Sequence, residues 1–122
     1  MRRLEVLQWL GLLLGAAFWG TAHILGYGIT EADCSRGSSG WGIRLDLWEI
    51  LMLAIAGSLV LASAASAAAV VLGTRGTSYE AAPPVGRVRF FAIAALVADS
   101  IFLVMIILYA VGTIANVPCR QA

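Results

Sequence analysis

Three long apolar stretches divide the chain, and shorter polar segments separate them. They run from about Val6 to Ile29, from about Leu47 to Leu72 and from about Phe90 to Ala115. Each stretch exceeds the roughly 20 residues that a helix needs to cross a bilayer. Apolar and polar residues do not alternate with a period of two, as they would in a membrane barrel. The pattern predicts an all-α integral membrane protein, with three transmembrane helices in a single domain over residues 1–122.

Composition narrows the classes of protein further. Hydrophobic residues make up 61% of the chain and charged residues 12%, and the mean hydropathy is +0.90. A soluble domain carries about 25% charged residues, and one of this length could not hide so much apolar surface. The net charge of +1 gives no basic footprint for nucleic acid. The first apolar stretch is longer than a signal peptide's core, so we expect it to be retained as a helix.

Arginines predict the orientation of the helices. The side with the N-terminus and the second loop has five of them, against three on the side with the first loop and the C-terminus. Because cytoplasmic segments carry an excess of basic residues, we expect a cytoplasmic N-terminus and a periplasmic or extracellular C-terminus.

The two cysteines fall on the same side of the predicted bundle. Cys34 lies in the first loop, and Cys119 follows the third stretch. That side is the outer one by the arginine count, and disulfides persist outside the cytoplasm. A bridge would close a loop of about 85 residues and would stabilise the fold by about 4 kcal/mol, less any strain. Two unrelated free thiols are the alternative.

Aromatic residues mark the predicted membrane interfaces. Trp9 lies near the inner end of the first helix and Tyr27 near its outer end. Trp41 and Trp48 flank the outer end of the second helix. Such positions are typical of interfacial anchors, which set the depth of a helix and require no ligand.

Asp99 is the most informative polar residue, because ionisable groups inside a membrane are costly and are functional candidates by default. It lies about 14 Å into the third helix, close to the midplane. Ser63 and Ser66 lie at a similar depth on the second helix. Asp99 could relay protons or contact a partner subunit. Alternatively, it is protonated and bonded to a serine or a backbone carbonyl.

Two further ionisable residues lie within the predicted spans. His23 could bind haem or a quinone, although a hydrogen bond to Tyr109 or to the backbone is the simpler interpretation. Glu49 lies near the start of the second helix, where it can reach headgroup water or pair with Arg44. We find no catalytic constellation and no set of residues with metal-ligand spacing, so we expect neither an enzyme nor a metal site.

Small residues recur every four positions on the first two predicted helices. They are Gly11 and Gly15 on the first, and Ala54, Ser58, Ala62 and Ser66 on the second. Such stripes let helices approach closely, which is what drives association in lipid. Because the second helix has more small residues than one contact needs, part of its stripe is expected to face another protein.

Three further features carry a resemblance to a known family. The first helix ends in Gly26-Tyr27, Cys34 follows seven residues after the tyrosine, and Pro118-Cys119 stands near the C-terminus. The chain resembles a family of small three-helix bacterial membrane proteins associated with caa-type haem–copper cytochrome c oxidases. The resemblance implies structural roles for Tyr27, Cys34, Pro118 and Cys119. It also implies that haem and copper belong to partner subunits and that this chain has no cofactor of its own.

These observations favour a non-catalytic accessory subunit of a respiratory complex in the bacterial cytoplasmic membrane, with integral membrane subunits and lipids as its partners. A cytochrome c oxidase is the complex that the resemblance implies. The alternative hypothesis is a small proton-coupled carrier or quinone-interacting protein that uses Asp99 and His23.

Overall fold

Three α-helices form the chain in a computed structural model that describes residues 2–35, 42, 44–78, 80–116 and 119. Helix α1 spans Arg2–Cys34, α2 spans Leu45–Gly73 and α3 spans Val85–Ala115. No strand occurs in the described residues. Each helix is long and apolar enough to cross a membrane. The prediction of three apolar helices of membrane-spanning length is therefore confirmed.

The helices extend beyond the apolar stretches from which they were predicted. Helix α1 begins about one turn earlier than Val6 and ends more than one turn after Ile29, and α3 begins about one turn before Phe90. The lengths correspond to about 50, 43 and 46 Å, against a hydrocarbon thickness of about 30 Å. Because polar residues at a helix end do not break the helix, the helices continue past the apolar stretches.

Each helix packs on the other two, so the three form a closed bundle. Residues 2, 74–78 and 80–84 lie at one end of the bundle, which we call its N-terminal end. Cys34 and Cys119 lie at the other, which we call its disulfide end. Two apolar clusters fill the interior. Large apolar side chains such as Ile24, Leu61 and Ile107 point outward and are more than half exposed. Outward apolar side chains of this kind suit contact with lipid, which is the solvent around a membrane-spanning bundle.

Arg89 ties α3 to the end of α2. Its Nη1 donates a hydrogen bond to the backbone carbonyl of Thr74, the residue that caps the C-terminus of α2. The Thr74 hydroxyl donates in turn to the Val70 carbonyl at 2.8 Å. A cation at a helix C-terminus satisfies free carbonyls and favours the negative end of the helix dipole. Arg89 therefore stabilises the N-terminal end of the bundle.

A covalent link joins α1 to the segment that follows α3. The sulfur atoms of Cys34 and Cys119 lie 2.03 Å apart, and the Cα atoms lie 5.4 Å apart. This distance fits the predicted disulfide. Pro118, which precedes the second cysteine, lies outside the described residues.

Candidate functional site: a buried carboxyl among three helices

Asp99 lies at the centre of the bundle, where it is only 1% exposed. It is on α3 and faces Gly15 of α1. A Cβ atom at Gly15 would overlap the Oδ1 atom of Asp99 and would lie 3.0 Å from its Cγ. The missing side chain of glycine therefore makes the space that the carboxyl occupies. The other carboxyl oxygen, Oδ2, is buried and has no hydrogen-bond partner among the described residues.

Ser63 of α2 faces the same centre and is also 1% exposed. Its hydroxyl donates to the backbone carbonyls of Gly11, at 3.0 Å, and Leu10, at 3.3 Å. It therefore ties α2 to α1. Ser66, the other serine at the depth of Asp99, instead donates to the Ala62 carbonyl in its own helix. Of the two serines, only Ser63 belongs to the polar centre.

Gly11 marks a close approach of α1 to α2. A Cβ atom there would lie 2.9 Å from the Cβ of Ala67 and 3.2 Å from its Cα. Both are below ordinary carbon–carbon contact. Gly11 and Gly15 thus lie one turn apart on the buried face of α1. Gly11 meets Ala67 of α2, whereas Gly15 meets Asp99 of α3 and also the Ser63 hydroxyl of α2, at 3.5 Å.

His23 belongs to a group of aromatic rings nearer the disulfide end. It stacks on Trp19 with 5.4 Å between ring centroids, and it contacts Tyr109 edge to face at 5.5 Å. Trp19 stacks in turn on Phe102. The structure thus brings His23 and Tyr109 together through a ring contact. The His23 side chain itself is exposed at the edge of the bundle.

Glu49 is buried, with 7% exposure, and it accepts a hydrogen bond from the hydroxyl of Thr30. Arg44, the ionic partner that the sequence suggests for Glu49, instead pairs with Asp46 at 3.1 Å. Sequence reasoning missed Thr30 because the first apolar stretch ends one residue before it. The extra turn of α1 is what brings this hydroxyl opposite the start of α2.

Asp99 and His23 do not form one site. Asp99 packs on Gly15, which lies eight positions before His23 on α1. This spacing separates the two levels by about 12 Å along the helix axis. A mechanism that uses both groups needs a further connection between them.

The small residues of α2 lie on the outside of the bundle. Ala54, Ser58 and Ala62 are exposed and Ser66 is partly exposed, and we call these four the small-residue face. The two serine hydroxyls donate to carbonyls of their own helix. The α2 face that contacts α1 and α3 is a different one, which includes Val60, Ser63 and Ala67.

Three of the four aromatic residues predicted as anchors lie in the described residues, and they occupy two kinds of position. Trp9 and Tyr27 are exposed, at 52% and 61%, near opposite ends of α1. Trp48 is partly buried, and its Nε1 has no hydrogen-bond partner among the described residues. Trp41 lies outside the described residues.

The part of the chain that the structure describes holds no group of three potential metal ligands. No family model, curated protein or solved structure matches this chain. The three helices, each long and apolar enough to cross a membrane, indicate a small multi-pass helical membrane protein.

Proposed function

We propose that this protein is a non-catalytic accessory subunit of a respiratory complex in the bacterial cytoplasmic membrane, and that the complex is a cytochrome c oxidase. The small-residue face is the observation that carries the proposal. It lies outside a bundle whose three helices already contact one another. The resemblance described above, through Gly26-Tyr27, Cys34 and Cys119, supplies the kind of complex.

Packing physics supports a protein partner for the small-residue face. In lipid, helices associate through close van der Waals contact, and small side chains permit the closest approach. Lipid chains are flexible and gain nothing particular from four small residues at one-turn spacing. A partner helix laid along Ala54, Ser58 and Ala62 would bring its backbone against that of α2.

In this proposal the chain stabilises a catalytic core through helix packing and supplies none of its redox groups. Haem and copper belong to the partner subunits. The N-terminus faces the cytoplasm because the N-terminal end has more arginines, and the disulfide faces the oxidising side. The disulfide between Cys34 and Cys119 would restrict the movement of α1 and of the segment after α3 at the outer surface.

The test is purification of the chain from its native membrane in mild detergent. Partners are identified by mass spectrometry, and a reduced-minus-oxidised visible spectrum is recorded on the same sample. We expect stoichiometric oxidase subunits with haem bands. Ala62→Leu should lower their yield at least about tenfold, since a bulky side chain blocks close approach. Ala94→Leu, at an exposed position of α3, is the matched control. A lone, colourless protein would overturn the proposal.

One observation favours the alternative of a small proton-coupled carrier or quinone-interacting protein. The Oδ2 atom of Asp99 is buried without a partner, and an ionisable group in that position is a natural proton carrier. The alternative predicts that Asp99→Asn abolishes an activity while the fold and any assembly survive. In an accessory subunit the same substitution should be mild or should loosen assembly. His23, with its exposed ring, would be the quinone contact.

A further inference from the structure

A cavity of about 430 Å³ opens between the first turns of α1 and α3, at the N-terminal end of the bundle. Glu5, Gln8 and Trp9 line it from α1, and Arg87 and Phe91 line it from α3. These residues lie where the apolar stretches begin, which is the level of lipid headgroups in a membrane-spanning helix. The volume is in the range of small-ligand pockets.

The cavity is lined by two opposite charges that form no ion pair with each other. Glu5 is on one wall and Arg87 is on the other. Within the described residues, the ion pair that the structure shows is the one between Arg44 and Asp46. A ligand that carries both charges could satisfy both walls at once.

Gln8 presents a polar group to the cavity. Its side chain is only 4% exposed and lines the cavity. No described residue forms a hydrogen bond with its amide. The amide atoms are not among the fully buried atoms without a partner, so they remain accessible from the cavity. The amide offers both a donor and an acceptor to a molecule in the cavity.

The start of α3 adds anion-binding capacity to the same wall. Pro84, which precedes α3, lines the cavity, and no side chain caps the helix there. The Val88 N–H makes the first bond of the helix, to the Pro84 carbonyl. The N–H groups before it have no partner within the helix, and with the helix dipole they favour a phosphate.

An apolar wall continues from the cavity toward the membrane interior. Trp9 and Phe91 stack with 6.5 Å between their ring centroids. Rings at this depth suit the glycerol region and the first carbons of an acyl chain.

We propose that this cavity binds the headgroup of a phospholipid whose zwitterionic head ends in a primary ammonium, as in phosphatidylethanolamine. Arg87 and the start of α3 hold the phosphate. Glu5 and the Gln8 carbonyl accept hydrogen bonds from the ammonium. A choline headgroup has no N–H to donate, and a glycerol headgroup leaves Glu5 facing a net negative lipid.

Native mass spectrometry of the full chain in mild detergent tests this site. Phosphatidylethanolamine, phosphatidylcholine and phosphatidylglycerol with identical acyl chains are titrated separately. We expect the ethanolamine lipid to bind at least about tenfold more tightly than the other two. Circular dichroism of each variant checks that the helices remain formed.

Two charge variants test recognition of the ammonium and of the phosphate separately. Glu5→Gln should remove most of the preference for ethanolamine over choline, whereas Glu80→Gln, an exposed acid outside the cavity, should retain it. Arg87→Gln should weaken all three lipids, whereas Arg75→Gln, which is exposed and outside the cavity, should not. Three results would overturn the proposal. The glycerol lipid could bind more tightly than the ethanolamine lipid, or the choline and ethanolamine lipids could bind equally. The control variants could also change lipid binding as much as the variants at Glu5 and Arg87 do.

Discussion

Replacement of Gly11 by alanine should separate α1 from α2. The new Cβ atom would lie 2.9 Å from the Ala67 Cβ, whereas carbon atoms pack best at about 3.5–4.0 Å. The nearby Ala67 atoms include backbone, which cannot rotate away. The helices must therefore move apart by about 0.6 Å or more. That shift also lengthens the 3.0 Å hydrogen bond from Ser63 to the Gly11 carbonyl.

The cost follows from these two effects. Overpacking typically costs about 1–3 kcal/mol, and an interhelical hydrogen bond in a membrane contributes about 0.6 kcal/mol. Alanine also has the better helix propensity, by about 1 kcal/mol. Gly20→Ala is the matched control, because a Cβ there meets nothing within 4 Å. The gain in helix propensity is the same in both variants. The difference between their free energies of unfolding therefore isolates the packing effect. We expect this difference to be about 2 kcal/mol, or about thirtyfold in the folding equilibrium.

Equilibrium unfolding in mixed micelles measures this difference. The fraction of sodium dodecyl sulfate is increased, and helix content and tryptophan fluorescence are followed with the disulfide intact in every sample. Gly11→Ala should unfold at a lower fraction of the denaturing detergent than Gly20→Ala. Adding Ala67→Gly to the Gly11→Ala chain should recover part of the loss, because the contact with the Ala67 Cβ disappears. Equal unfolding of the two alanine variants would refute the close approach of α1 and α2.

Three other predictions can be checked on the same preparation. Ser63→Ala should cost about 1 kcal/mol in the unfolding titration, because a tie between α2 and α1 is lost; an equal cost for Ser66→Ala would contradict this. Arg89→Met should cost about 1 kcal/mol and speed amide hydrogen exchange at the end of α2, because the capping bond is removed; unchanged exchange there would argue against the cap. Reduction should free Cys34 and Cys119 for alkylation, detected by mass, and should destabilise the fold by about 4 kcal/mol, less any strain; alkylation without reduction would exclude the bridge.

The number of helices could be predicted because long apolar stretches have few alternatives in a chain with so little charge. The close approach at Gly11 was also accessible, since glycines one turn apart indicate a tight contact. The sequence could not predict which face of each helix points into the bundle. In a membrane bundle the interior and the lipid-facing surface are both apolar, so the pattern cannot tell the outward Ala62 from the inward Ala67.

Polar partners were harder to predict than helices. Arg44 lies two residues from Asp46 and five from Glu49, and it forms its ion pair with the nearer acid, Asp46. Thr30 became the partner of Glu49 only because α1 continues past its apolar stretch. In the polar centre, counting residues along each helix predicts that Ser63 lies at the depth of Asp99. It could not predict that the Ser63 hydroxyl faces the α1 backbone. Such details depend on the rotation of each helix about its axis.

The link between Cys34 and Cys119 also restricts how the bundle can move. Cys119 lies four residues beyond the end of α3, so the disulfide limits how far the disulfide ends of α1 and α3 can separate. A tilt of one helix against the other about this end remains possible. Any spreading of α1 from α3 is therefore largest at the opposite end, where Glu5 lines the cavity from α1 and Arg87 lines it from α3.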